Sequence, residues 1–351
     1  MPAKLFETSR RYAVWSDWGL RRALWWSSLL LQPHAVVVPG DMLDEGKRCD
    51  DSQHEQLLQR FKAVFQAHKS DQWHMMLPLS SHPIPLILTP GNHDSPPPLR
   101  PDQGYDEHVQ RVRLRTTAAF GAGSCTCVRG HAFHTIDTSG IFYDGDDDLH
   151  GALGAQSGGC HVVACGQERA SYRRGEGHHV VVTHAPLHRS SDEVCGKERG
   201  QGGGVTYLRR NEALAAGQDV LSEHDSALLM QAAAAKAHQL GGEVSVVLAG
   251  HTHAPCFITS PALSGGGSSN SSSKVLHATL SASGWRMRPD ASCALLVLHE
   301  RASHGSLITL LSLPHEHTSI AVVAAACVAV AAAACRLAWD SWRSFKRSKS
   351  S

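Results

Sequence analysis

Short apolar runs punctuate the first two-thirds of the chain, and a polar cluster follows each of them. Ala35–Val38, Pro85–Leu88, Val180–Val182 and Val244–Leu248 are rich in branched aliphatic residues with no alternation. That pattern predicts strands buried on both faces. Between them, apolar residues recur at helical spacing. Over Glu55–His68, Leu57, Leu58, Phe61, Val64 and Phe65 fall on one face, which predicts an amphipathic helix. Ser222 and Asp225 make a capping-box-like start to a second helix over Ser222–Leu240. The stretch ALWWSSLLL at 23–31 is too short to span a membrane and reads as a helix face. Later runs, Lys274–Leu280, Cys293–Leu298 and Leu307–Leu313, have no helices between them. The expectation is an α/β core whose later part is more antiparallel.

The C-terminal end differs in kind. From Ile320 to Cys335 cysteine is the only polar residue, and extension to Trp339 gives about 20 residues, enough for about 30 Å of helix. Trp339, Trp342, Arg343, Lys346, Arg347 and Lys349 follow, an aromatic and basic flank that puts the short tail in the cytoplasm. The expected organisation is one large domain over 1–316, a transmembrane helix over 317–339 and a basic tail over 340–351. A buried Ala-rich helix is the alternative for the apolar stretch. The N-terminus shows no signal-peptide pattern.

Composition narrows the functional classes. The 351 residues carry 33 Lys+Arg against 32 Asp+Glu, a net charge of +1. That balance provides no broad field for a polyanion, so nucleic acid is not an expected partner. The 10 cysteines include no Cys-x-x-Cys pair, and their pairing depends on the compartment. Asn270-Ser271-Ser272 is a weak glycosylation signal. The 24 histidines acquire meaning only through position. His178-His179, His315 and His317 are set aside as compositional.

The four buried runs lead into GDMLDEG (40–46), GNHD (91–94), THAPLH (183–188) and GHTH (250–253). In open α/β sheets, side chains that bind ligands converge beyond the carboxyl ends of strands. Asp41 can bridge two ions, Asn92 offers a carbonyl oxygen, and His184, His251 and His253 offer imidazole nitrogens. Such mixed O/N donors suit manganese, iron or zinc better than calcium. Two ions can clamp a phosphate and activate water for in-line attack. His93 is placed to face the phosphate and protonate the leaving oxygen, with Asp94 to orient its ring.

The ordered series GD…GNHD…H…GHTH resembles the calcineurin-like metallophosphoesterase superfamily. GDMLDEG, THAPLHRSSDEVC (183–195), VLSEHDSALL (220–229) and Trp285-Arg286-x-Arg288 are similar to the membrane-bound subfamily that removes ethanolamine phosphate from glycosylphosphatidylinositol (GPI) anchors. The resemblance implies a four-layer α/β/β/α sandwich with a dimetal site at the strand ends. It assigns Asp41, Asn92, His184, His251 and His253 to a metal pair, manganese by preference, and His93 to the phosphate. It implies a lumenal site in early secretory membranes (endoplasmic reticulum, its exit sites or Golgi). GPI glycolipid or GPI-anchored proteins would be the partners, and their transport the process served. Arg189, Arg286 and Arg288 are candidates for substrate phosphates, with solvated surface arginines as the alternative.

The family's opening Asp-x-His motif has no counterpart in this sequence. The expectation is that it lies upstream of Met1 with the first strand, which leaves the activity of this chain in question. Two further readings stand beside the phosphodiesterase: another phosphoester hydrolase of the same superfamily, and an inactive membrane factor that binds GPI-anchored cargo.

Overall fold

A computed structural model describes residues 3–43, 46–70, 72–76, 82–96, 106–121, 124–138, 161–162, 177–195, 220–252, 254–261, 274–280, 292–300, 305–312 and 336. In the first helix the side chains are described from Asp17 onward.

Each predicted apolar run is a strand. They are β1 (Val36–Pro39), β4 (Ile84–Thr89), β8 (His179–Thr183) and β9 (Val244–Ala249). Strand β4 is buried at all six positions and β8 at all five, as expected of strands covered on both faces.

Two sheets result. The smaller has the order β1-β4-β3-β2, where β2 is Ala67–Lys69 and β3 is Trp73–Met75. The larger has the order β10-β11-β9-β8-β6-β5-β7. Its further members are β5 (Cys125–Val128), β6 (His131–Ile136), β7 (His161–Val162), β10 (Cys256–Pro261) and β11 (Lys274–Thr279). A separate antiparallel pair, β12 (Ser292–Leu298) and β13 (Ser306–Ser312), follows. The β1–β4 and β6–β8–β9–β11 pairings are parallel. Antiparallel pairs occur early, at β2–β3, β3–β4 and β5–β6, as well as late, at β10–β11 and β12–β13, so antiparallel pairing is not confined to the later part.

The period-2 alternation of side chains sorts the core into layers. Ile87 of β4 packs with Val180, Val182, Val246 and Leu248 of the larger sheet, with Val37 of β1 beside them. This is the interior of a sheet-on-sheet sandwich. Leu86 and Leu88 point the other way, onto Phe61, Val64 and Phe65 of α2 (Asp51–Phe65), with Leu20 and Leu24 of α1 (Ala3–Leu31). Ala119 and Phe120 of α3 (Glu107–Phe120) complete that outer layer. On the far side, Val181 and Val247 meet Leu229, Ala233 and Ala237 of α4 (Glu223–Gln239). The layers therefore run α/β/β/α.

Helix boundaries follow local chemistry. Asp50 caps α2 through a reciprocal capping box with Gln53, so this helix starts before Glu55. It ends at Phe65 rather than His68, because Gln66 turns left-handed (φ 48°) and Ala67–Lys69 pairs with β3 instead. At α4, the Ser222 hydroxyl accepts from Asp225 N and donates to its carboxylate, which is the expected cap.

Among the described residues, no helix is long and apolar enough to cross a membrane. The segments 317–335 and 337–351, with the expected membrane span and tail, lie outside the described residues. So do Asn270, Arg286 and Arg288.

Candidate metal centre

The loops after β1, β4, β8 and β9 gather at one rim of the sandwich. The backbone is bent there at cost. Asp41 and His251 both adopt positive φ, 55° and 66°, a region that non-glycine residues rarely enter. Gly40 precedes Asp41 with φ 93°. A Cβ on Gly40 would overlap the His184 ring, and one on Gly91 would overlap the Asp41 carboxylate and amide. These two glycines let three motif loops approach to contact.

Four of the five proposed ligands meet at a single atom. His184 Nε2 stands 3.0 Å from Asn92 Oδ1, 3.2 Å from His251 Nδ1 and 3.4 Å from Asp41 Oδ2. Donors that share one ion at about 2 Å each are expected about 3 Å apart. The fifth, His253, lies outside the described residues. Among the described residues, no three His, Cys, Asp or Glu side chains form a finished metal cage. The set is a partial one, completed in kind by the Asn92 carbonyl.

The tautomer of His184 fits a metal ligand. Its Nδ1 lies 2.8 Å from the Pro39 carbonyl, which can only accept, so Nδ1 carries the hydrogen. In the neutral ring Nε2 then presents a lone pair toward two oxygen acceptors. A cation between them removes that conflict, and a backbone-oriented imidazole is the usual support for a metal ligand. The oxygen and nitrogen donors fit a divalent transition ion. Burial pushes the Asp41 carboxyl up, but His184, His93, the His93 N–H and His251 outweigh it and hold the pKa below the ordinary carboxylate value. Asp41 is thus kept ionised.

Asp94 has a different task from the expected one. Its carboxylate is fully buried and does not serve the His93 ring. Oδ1 accepts from Leu43 N at 2.6 Å, and Oδ2 from Gly91 N at 2.8 Å and Met42 N at 3.2 Å. Burial and the neighbouring Asp41 push its pKa up to about 8 against the pull of these three N–H groups. Asp94 is the clamp between the first two motif loops. The signal missing from the sequence was the pair of distant partners, the Met42 and Leu43 amides some 50 residues away. His93 itself is half-buried, and its backbone N–H donates to Asp41 Oδ1 at 3.0 Å.

Arg189 is not a solvated surface arginine. It is 6% exposed and lines a small cavity with Leu187, Ile258, His277 and Thr279. Cys195 and Cys256 form a disulfide, a pairing the sequence left open. It joins the loop that follows His184 to the strand that follows His251.

The family model described as calcineurin-like phosphoesterase matches residues 14–255. Metallophosphoesterase 1 of Mus musculus is 25% identical over 255 residues, covering 70% of this chain and 56% of the mouse protein. The chain thus spans little more than half the length of that relative. Metallophosphoesterase 1 of Danio rerio is 24% identical over 336 residues, covering 90% of this chain and 73% of the fish protein. A solved purple acid phosphatase from yellow lupin (Lupinus luteus) seeds is 14% identical with a TM-score of 0.43, covering 84% of this chain and 46% of its own.

Proposed function

The chain belongs to the calcineurin-like phosphoesterase family, and on that premise we propose that it hydrolyses a phosphoric ester with divalent metal ions held by Asp41, Asn92, His184, His251 and His253. The observation that carries this reading is the convergence of Asp41, Asn92 and His251 on His184 Nε2. Bound divalent ions supply Lewis-acid charge to the phosphoryl oxygens and activate water. The protein's own contribution is geometric and electrostatic. Pro39 fixes the His184 tautomer, Asp94 holds two ligand loops at a set distance, and the His93 N–H orients Asp41. The His93 imidazole, next to Asn92, protonates the leaving oxygen.

The finer reading is a phosphodiesterase for ethanolamine phosphate on the GPI-anchor glycan, with manganese as the preferred metal. Its support is the sequence pattern GDMLDEG and THAPLHRSSDEVC. The protein would act at the lumenal face of early secretory membranes, anchored by 317–339, on GPI-anchored proteins in transit. The Cys195–Cys256 bond supports an oxidising compartment. The test is turnover of a GPI glycan bearing ethanolamine phosphate, with manganese, alongside a simple aryl phosphodiester. Release of ethanolamine phosphate is expected. His93→Ala should lower turnover roughly 10²–10⁴-fold and leave metal binding near wild type. Hydrolysis of the aryl ester alone would reject the glycan substrate, and unchanged turnover in His93→Ala would remove that residue from the mechanism.

A further inference from the structure

Four histidines that belong to no metal motif form a buried cluster at the opposite end of β8 from His184. They are His131 and His134 on β6 and the adjacent pair His178-His179 at the start of β8. Their exposures are 8%, 1%, 0% and 1%. His134 Nε2 lies 3.0 Å from His179 Nδ1, with the two rings 13° from parallel. His131 Nδ1 accepts the backbone N–H of His178 at 3.1 Å, and His178 Nδ1 lies 2.7 Å from Ser245 Oγ on β9.

The contacts of His131, His134 and His179 require neutral rings. The His134–His179 contact needs one N–H and one lone pair, and a second proton would set two N–H groups against each other. A proton on His131 Nδ1 would remove its acceptor. The remaining nitrogens His134 Nδ1 and His179 Nε2 are buried with no hydrogen-bond partner, so charge placed there would be uncompensated. The titratable groups that act on the cluster from neighbouring elements are His34, Lys236 of α4 and His299 after β12. All three are bases that repel added positive charge. The backbone carbonyls of His299 and Gly305 give His178 a partial offset.

We propose that this imidazole cluster makes the fold acid-labile, so that the protein keeps its strand-end loops assembled near neutral pH and releases them as the pH falls below about 6. Strand β8 is the coupling element, because it starts in the cluster at His179 and ends at the ligand loop of His184.

Burial first, and neighbouring bases second, lower His134 to about 3 and His178 and His179 to about 4, and His131 is lowered by burial and His34. An unfolded histidine titrates near about 6.5. Below that pH the unfolded chain binds more protons than the native one. Stability is therefore full above about pH 6.5 and is lost as pH falls toward the native values. Three such groups together shift the unfolding equilibrium on the order of several hundredfold between pH 6 and pH 5.

The test is urea unfolding of the metal-saturated full chain between pH 7.5 and 5. Wild type is compared with His134→Gln, His179→Gln and the double variant His134→Leu/His179→Leu. His68→Gln on the exposed β2 strand is the control. Acid at the metal ligands affects every variant alike and cancels in the comparison. Wild type and the control should weaken steeply below pH 6.5. Each single variant should lose up to about tenfold of that change per pH unit. If the double variant does not fold, the singles decide. A flat wild-type profile from pH 7 to 5, or an unaltered slope in both single variants, overturns the proposal.

Discussion

At the scale of single residues, the site depends on what is absent as much as on what is present. Gly91 has no side chain where a methyl group would collide with Asp41, and Asp41 is already held at φ 55°. Gly91→Ala should push the Asp41 carboxylate off His93 N and His184 Nε2 while leaving the sandwich core untouched. Loss of one hydrogen bond to a charged group costs about 1.5–3 kcal/mol, so manganese affinity should fall roughly ten- to a hundredfold. Calorimetric titration measures it, with circular dichroism as the check on folding. Unchanged affinity would mean that Asp41 is not a ligand. The motif residues were legible because each polar cluster directly follows a buried apolar run. Asp94 was legible as a site residue but not as a clamp, since its backbone donors are set by tertiary structure. His178 and His179, set aside as compositional, are core residues instead. In the sequence a buried imidazole and a surface one look alike, and only the pairing of β6 with β8 distinguishes them.

Elements were legible where the hydrophobic period was clean. The four strands and α4 fall where their patterns put them, but β1 is half-buried at all four positions rather than covered on both faces. Strand β6 did not announce itself, because HAFHTI places histidines at positions that turn out to be buried. Strand β2 is three residues long and reads as the end of α2 until Gln66 turns left-handed. The Cys195–Cys256 bond acts at this scale. Both sulfurs are buried, at 6% and 2% residue exposure, and the bond ties the segment after β8 to the start of β10 across a separation of 61 residues. A loop of that length is worth up to about 4 kcal/mol through chain entropy. The double variant Cys195→Ser/Cys256→Ser should therefore melt several degrees below wild type. Because the clipped segments carry His184 and His251, its manganese affinity should also fall. A melting point that matched oxidised wild type would show that the bond adds no stability.

For the whole molecule, the decisive feature is that the proposed ligands divide between the two sheets. Asp41 and Asn92 extend from β1 and β4 of the smaller sheet, and His184 and His251 from β8 and β9 of the larger. The sheets already share an apolar interior around Ile87, Val180 and Val246, which the sequence indicated only as apolar runs, without saying which faces would meet. An ion held at the rim adds a second tie between them, one that exists only in the folded chain. Binding to the native state alone stabilises it by about 2.7 kcal/mol when the free ion is a hundred times its dissociation constant. For a chain of 351 residues, each kcal/mol raises the melting temperature by about 1–2 °C. Manganese at that excess should therefore raise Tm by about 3–5 °C over chelator-treated protein in scanning calorimetry. Asp41→Asn should lose most of that gain, since it removes the ionised oxygen nearest His184 Nε2. Calcium should give little, because it favours all-oxygen shells and the site presents imidazole. The combination matters, since any ion that binds the folded surface raises Tm. A gain that persists in Asp41→Asn, or that calcium reproduces, would place the ion elsewhere and leave the two sheets joined by their apolar faces alone.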